Sequence, residues 1–186
     1  MINIENGHPN MTNRCHIKNA IIQKNRKDLA SMNFEIVSIK EKTLVGVSAR
    51  TNNSSADMGQ VIGGLWQRLY SPDIFSEIEN RVNEKACGIY TDYSDDEKGD
   101  YTAAAMFEVD GIGEKGLPEG TEVRKIPAGK YAKFIVKGNQ MTAVYEFWQK
   151  LWKMKLDRAF VCDFEEYQNS DPENAEIHIY IGLKGE

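Results

Sequence analysis

The sequence predicts an α+β fold: two duplicated ββαββ halves form one antiparallel sheet, with two amphipathic helices on one face and a ligand groove along the pseudo-twofold between them. Strand-like runs of alternating β-branched and aromatic residues come in pairs. Two stretches carry apolar residues at three-and-four spacing. The same order of elements then occurs twice within 186 residues, the signature of an internal duplication.

The elements follow in order. Residues 1–31 are polar and Asn-rich, and read as a flexible N-terminal tail apart from a short helical stretch around Asn19–Lys27. Met32 stands just before the first convincing strand, so the tail reads as an extension ahead of a single domain over residues 32–186. Phe34–Ile39 and Thr43–Ala49 read as a hairpin across Lys40-Glu41-Lys42, with Gly46 marking a bulge. After the loop Asn52-Asn53-Ser54-Ser55, a helix begins near Asp57. It sets Val61, Ile62, Leu65, Trp66, Leu69 and Tyr70 on one stripe and ends at Ser71-Pro72-Asp73. Cys87–Tyr93 and Tyr101–Val109 form a hairpin around the acidic turn Asp95-Asp96-Glu97-Lys98-Gly99.

The glycine-rich run Gly111–Gly120 connects the halves. Its Gly111-Ile112-Gly113-Glu114-Lys115-Gly116 matches a dinucleotide fingerprint by letter only, since no helix pattern follows. Glu122–Ile126 and Lys130–Lys137 flank Pro127-Ala128-Gly129; Met141–Lys155 is helical; Ala159–Tyr167 and Glu176–Leu183 form the last hairpin. Leu65-Trp66-Gln67-Arg68-Leu69-Tyr70 aligns with Phe147-Trp148-Gln149-Lys150-Leu151-Trp152, and Ile39, Leu44 and Val45 align with Ile126, Tyr131 and Ala132. Tyr90-Thr91-Asp92-Tyr93 aligns with Phe164-Glu165-Glu166-Tyr167.

Composition narrows the function. No apolar run reaches the ~20 residues of a membrane span, and the N-terminus lacks the compact apolar block of a secretory signal, which predicts a cytoplasmic protein. Three cysteines, Cys15, Cys87 and Cys162, are odd in number and widely spaced. They predict neither a disulfide framework nor a zinc site, and His8, His16 and His178 have no metal or catalytic spacing. No cofactor is expected. The tail carries a net charge of +3, from Arg14, Lys18, Lys24, Arg26 and Lys27 against Glu5 and Asp28. The remaining 18 basic and 26 acidic residues leave the body at −8, which disfavours direct nucleic-acid binding and favours cationic partners.

The strand Phe160-Val161-Cys162-Asp163-Phe164-Glu165-Glu166-Tyr167 carries the chemistry. Alternation puts Phe160, Cys162 and Phe164 on one face and Val161, Asp163, Glu165 and Tyr167 on the other. Either Glu165 and Glu166 lie at a wet strand end, or one of them lines an aromatic pocket and awaits a cation. The duplication sharpens this: Glu165 stands where the first half has Thr91, so a groove along the pseudo-twofold carries one asymmetric carboxylate. Trp66 and Tyr70 line that groove from the first helix and Tyr145, Trp148 and Trp152 from the second, with Tyr90, Phe164 and Tyr167 from the strands. Aromatic faces attract cations by ~1–2 kcal/mol each when desolvated, so a planar lipophilic cation suits the site.

The ββαββ duplication, the helix Tyr145-Glu146-Phe147-Trp148-Gln149-Lys150-Leu151 and the phrase Asp163-Phe164-Glu165-Glu166-Tyr167 leading to Glu176-Ile177-His178-Ile179-Tyr180-Ile181 resemble the GyrI-like, AraC-type effector-binding domain over about residues 32–184. The resemblance implies that Glu165, the glutamate of a Phe-Glu-x-Tyr phrase, meets cationic effectors in a hydrophobic cleft. With only a polar stretch ahead of Phe34 and no helix-turn-helix pattern there, the chain resembles the stand-alone members, some of them carried on mobile integron cassettes. Three roles stay open. One is a small-molecule-binding module in drug sensing, sequestration or transcriptional regulation with a partner. The second is a hydrolase of electrophilic small molecules using the pocket Glu and Trp. The third is a gyrase-inhibitor-like protein-interaction module. A protein partner or a homodimer fits any of them.

Overall fold

A computed structural model describes residues 32–185; the predicted tail and its helical stretch lie outside the described residues. The elements run β1 (Glu35–Ile39), β2 (Lys42–Thr51), α1 (Met58–Leu69), the short α2 (Pro72–Phe75), β3 (Arg81–Thr91) and β4 (Tyr101–Val109). The second half follows as β5 (Glu122–Ile126), β6 (Gly129–Gly138), α3 (Gln140–Leu151), β7 (Arg158–Tyr167) and β8 (Ala175–Leu183). All eight strands join one antiparallel sheet in the order β1-β6-β8-β7-β3-β4-β2-β5. That order reads the same from either end when the halves are exchanged, so the twofold passes between the central strands β3 and β7.

The hairpins β3–β4 and β7–β8 form as the sequence predicts. The hairpin expected from Phe34–Ile39 and Thr43–Ala49 does not. Instead β1 pairs with β6 of the other half and, by symmetry, β5 pairs with β2. Alternation marks both segments as strands but is silent on their partners. The exchange dictates the shape. In a flat sheet β1 and β2 would lie roughly 29 Å apart at ~4.8 Å per strand step. The chain from Ile39 to Lys42 reaches at most about 11 Å, so the sheet must curl until its ends meet.

Curling gives the sheet two buried faces. On the outer face, α1 sets Leu65 and Leu69 against Val45, Val47, Ala105 and Phe107. Its counterpart α3 sets Phe147 and Leu151 against Phe134, Ile177, Ile179 and Ile181. The inner face closes over Leu44, Ile89, Met106, Ile126, Phe164 and Tyr180. Gly46 makes no bulge, because the β2–β4 register runs unbroken through it. It is needed there since a Cβ would collide with the Ala105 carbonyl and Met106. The ladder breaks elsewhere, at equivalent places in the two halves: between Arg81 and Ala86 in β3 and between Arg158 and Asp163 in β7.

The β7 break is held by a buried ion pair. Arg158 Nη2 donates to Asp163 Oδ2 at 2.6 Å, and Tyr93 Oη donates to the same oxygen at 2.8 Å. Asp163 Oδ1 accepts the Gly182 N–H at 2.8 Å. The break also resets alternation. Phe160 sits at φ +51°, and its ring meets Tyr93 and the Arg158 guanidinium rather than joining Phe164 as predicted. Asp163→Ala leaves Arg158 buried without its partner and should cost about 3–5 kcal/mol. Urea unfolding measures it; a loss under about 1 kcal/mol would show that the pair does not hold this strand break.

Candidate functional site

The two helices stand apart over the centre of the sheet, and between them lies a cavity of about 640 Å³. Its floor is formed by the outer-face residues of β3 and β7. Glu165 is only 1% exposed there. Its carboxylate accepts three hydrogen bonds, each from a different element. Tyr90 Oη of β3 donates to Oε1 at 2.9 Å, Trp148 Nε1 of α3 donates to Oε1 at 2.8 Å, and Tyr167 Oη of β7 donates to Oε2 at 2.8 Å. Burial raises the Glu165 pKa above the ordinary carboxylate value, and the three donors pull the other way. No basic side chain pairs with it among the described residues.

The positions of the two ladder breaks fix the strand equivalence, placing Arg81 on Arg158 and Ala86 on Asp163. Tyr90 therefore corresponds to Tyr167, and Glu165 corresponds to Gly88. The expected equivalence of Glu165 with Thr91 is displaced by three residues, because Tyr90 and Tyr93 share the spacing of Phe164 and Tyr167, and that likeness sets Tyr93 rather than Tyr90 on Tyr167. The corrected register exposes a symmetric cage. Trp66 meets Tyr167 edge-on at 5.0 Å and 74°, while Trp148 meets Tyr90 at 5.1 Å and 79°. The symmetry is broken at one point. Gly88 and Glu165 face each other across the β3–β7 ladder. A Cβ on Gly88 would lie 3.2 Å from Trp66 Cζ2 and 3.3 Å from Glu165 Oε2, so the first half leaves the space that the carboxylate of the second half uses.

Of the predicted site residues, Glu165, Trp66, Tyr90, Tyr145, Trp148, Trp152 and Tyr167 all line this cavity. Phe164 does not. It points to the inner face, fully buried and stacked on Tyr180 at 4.3 Å, as strand alternation from Glu165 requires. Tyr70 also stays outside the lining. It caps the C-terminus of α1 and packs on Phe75 and Phe107, because α2 folds back beneath it. Glu166 faces away from the cavity and pairs with Lys42 at 3.2 Å, holding β7 to β2 from the inner side.

Sequence reasoning missed the far end of the cavity, where Tyr93, Tyr101, Asn53, Glu97 and Arg158 join the lining. These come from the β2–α1 loop, the acidic β3–β4 turn, the start of β4 and the start of β7. The usable signal was the pair of tyrosines flanking that turn. The lips of the cavity differ too. On α1 they are Gly59 and Gly63, whose missing Cβ atoms would meet nothing; the equivalent α3 positions are Met141 and Tyr145, 83% and 65% exposed. The described residues contain no group of side chains suited to a metal, and no helix long and apolar enough to cross a membrane.

Two outcomes test this geometry. A raised Glu165 pKa means that the folded state binds the proton more tightly than the unfolded chain. The carboxylate therefore costs no stability below its ordinary pKa, and the cost grows as pH rises through the raised value. Glu165→Gln, which keeps the shape, should melt higher than wild type at neutral pH and converge with it in acid, measured by thermal unfolding across pH. Gly88→Val puts methyl groups where Trp66 and the carboxylate now sit. It should shift the tryptophan emission of the cage, and an unchanged spectrum would contradict the close approach.

Similarity to known proteins agrees with this architecture. The family model described as integron-associated effector binding protein, Cass2, matches residues 35–183. The integron cassette protein VCH_CASS2 of Vibrio cholerae has a similar structure with a TM-score of 0.66 at 25% identity, covering 82% of this chain and 97% of its own. A putative transcription regulation protein from Staphylococcus aureus MU50 gives 0.62 at 21% identity, over 83% of this chain and all (100%) of its own. SAV2435, solved with tetraphenylphosphonium bound, gives 0.64 at 21% identity over 83% of this chain and 95% of its own. Among curated proteins none matches in sequence. With the family match spanning nearly the whole described region and the duplicated, curled antiparallel sheet beneath it, this chain belongs to the integron-associated effector binding proteins.

Proposed function

We propose that this protein is a small-molecule-binding module that takes lipophilic, aromatic cations into the cavity between α1 and α3, with Glu165 as the counter-charge. The observation that carries the reading is a buried carboxylate with hydrogen-bond donors but no cation among the described residues, set at the floor of an aromatic cage. Three donors leave about one of its four acceptor directions unused and its charge uncompensated. A cation entering between Trp66 and Trp148 meets ring faces and edges arranged by symmetry, and a negative charge in a medium of low dielectric. Such a ligand needs no hydrogen-bond donor of its own, which suits quaternary and delocalised cations. The tetraphenylphosphonium held by SAV2435 is a ligand of that kind. Drug sensing, sequestration, or regulation through a separate DNA-binding partner are uses this binding can serve.

Titration with tetraphenylphosphonium, followed by tryptophan fluorescence, tests the proposal beside the neutral triphenylphosphine oxide. Cation binding should weaken about 10–100-fold in Glu165→Gln, the loss of a charged partner worth ~1.5–3 kcal/mol, while the neutral compound is unaffected. Affinity for the cation should also fall as pH drops through the raised Glu165 pKa, since protonation removes the counter-charge. Equal binding of the neutral analogue, or full affinity in the variant, would remove Glu165 from the recognition.

A further inference from the structure

The far end of the cavity bears a second acidic group. Five acids lie between β3 and β4, and four of them serve an ion pair, the turn or the solvent: Asp92 Oδ2 pairs with Arg124 Nη1 at 2.5 Å. Asp95 is exposed, Asp96 Oδ1 accepts the Lys98 N–H at 2.9 Å, and Asp100 Oδ1 accepts from Asn52 at 2.9 Å. Glu97 alone among them turns its side chain into the cavity lining. Its backbone is fixed for that purpose: Asn53 Nδ2 donates to the Glu97 carbonyl at 2.7 Å, and Tyr101 Oη donates to Asn53 Oδ1 at 3.0 Å. A helix-entry loop and a floor tyrosine thus hold one turn residue over the cavity.

Glu97 is not used up by its neighbour. Arg158 Nη1 stands 4.0 Å from Glu97 Oε2, whereas Arg158 Nη2 lies 2.6 Å from Asp163. The guanidinium is therefore committed to the buried aspartate. Asp163, Arg158 and Glu97 together carry one net negative charge, with the accessible part on Glu97, whose side chain is 32% exposed. The other negative centre is Glu165. Between the two lie the rings of Tyr90 and Tyr101, 5.9 Å apart in a T-shaped contact, so the acids occupy opposite ends of an aromatic channel rather than one cluster.

Resting on the proposed function, we infer that the site is built for elongated dications: ligands with two positive groups joined by an apolar or aromatic bridge, one group in the Trp66–Trp148 cage over Glu165 and the other against Glu97. A cavity of about 640 Å³ lies in the ~300–1,000 Å³ range of drug-sized ligands and has room for a bridge. Its asymmetry is consistent with such a ligand, since the pseudo-twofold mate of the β3–β4 turn offers no acid to the cavity.

The experiment compares a bis-quinolinium joined by an alkyl chain with the single-headed N-alkylquinolinium, by calorimetric titration of the wild-type protein, Glu97→Gln and Asp95→Asn. Wild type should bind the two-headed ligand more tightly than the single-headed one. Glu97→Gln should weaken the two-headed ligand about fivefold or more, the scale of a half-exposed charge pair, and leave the single-headed ligand within about twofold. Asp95→Asn, which removes the same charge from the same turn outside the cavity, should change neither, and unchanged melting temperatures confirm that both variants are folded. Equal wild-type affinity for the two ligands overturns the inference. So does a Glu97→Gln loss shared by both ligands or reproduced by Asp95→Asn. No binding of either ligand, or of tetraphenylphosphonium, overturns the cation-site reading itself, an outcome distinct from these.

Discussion

The arrangement of the whole outer face depends on one costly placement: a carboxylate, Glu165, is buried with no cation among the described residues to neutralise it. An isolated charge in such a place costs several kcal/mol or neutralises itself by taking a proton. Here three donors share the burden, and they arrive from β3, β7 and α3. Each donor is an aromatic side chain whose ring is pinned by a neighbour, so the polar satisfaction of Glu165 and the packing of the cage are the same contacts. Moving α3 relative to the sheet would break the Trp148 hydrogen bond and its contact with Tyr90 together, and moving α1 would break the Trp66–Tyr167 contact. The cavity is accordingly preformed, and binding has little ordering to do.

Duplication explains how such a site can be assembled. A symmetric ancestor of two ββαββ halves places equivalent Trp and Tyr residues on either side of the axis at no extra cost in design. Two carboxylates facing each other there would repel, and one of them would stay protonated. The chain has Glu165 on one side and Gly88 on the other. The glycine removes the clash and supplies the volume, so a single substitution class at one pair of positions converts a symmetric aromatic slot into a charged one. The strand exchange at the rim serves the same end. Because β1 and β5 each belong to the opposite half's sheet edge, the halves cannot shear apart along the axis on which the site lies.

Much of this was legible in the sequence. The alternation of β-branched and aromatic residues located the strands, helical spacing located both amphipathic helices, and the duplicated order located the axis and with it Glu165, Trp66 and Trp148. What was not legible has a common cause. Alternation records which face a residue occupies, not which strand lies beside it, so the β1–β6 and β2–β5 exchanges were invisible and a hairpin was expected instead. The ladder break between Arg158 and Asp163 has no turn-like residue to announce it, and it put Phe160 with Tyr93. The mate of Glu165 is Gly88 rather than Thr91 because the repeated aromatic spacing of Tyr90 and Tyr93 offered a false match to Phe164 and Tyr167. Phe164 was a different error. Its own alternation assigned it to the face away from Glu165, and proximity in sequence overrode that in choosing it for the site. The far end of the cavity depends on loop conformation, and periodicity says nothing about loops.

The lips of the cavity show where stability yields to access. A glycine within a helix is less favourable than alanine by roughly 1 kcal/mol. Two of the α1 glycines, Gly59 and Gly63, line the cavity and face open space where a Cβ would stand. No backbone strain and no close packing calls for them. On α3 the equivalent places hold Met141 and Tyr145, exposed well beyond what a closed core would allow. Together they give the helix pair a mouth with one low lip on α1 and one bulky, apolar lip on α3. A symmetric pair of bulky lips would narrow the mouth, and a symmetric pair of glycines would leave the cage open to water on both sides. The departures from twofold symmetry at Gly88, Gly59 and Gly63 thus act on the same path, from mouth to floor, and leave the cage between them symmetric.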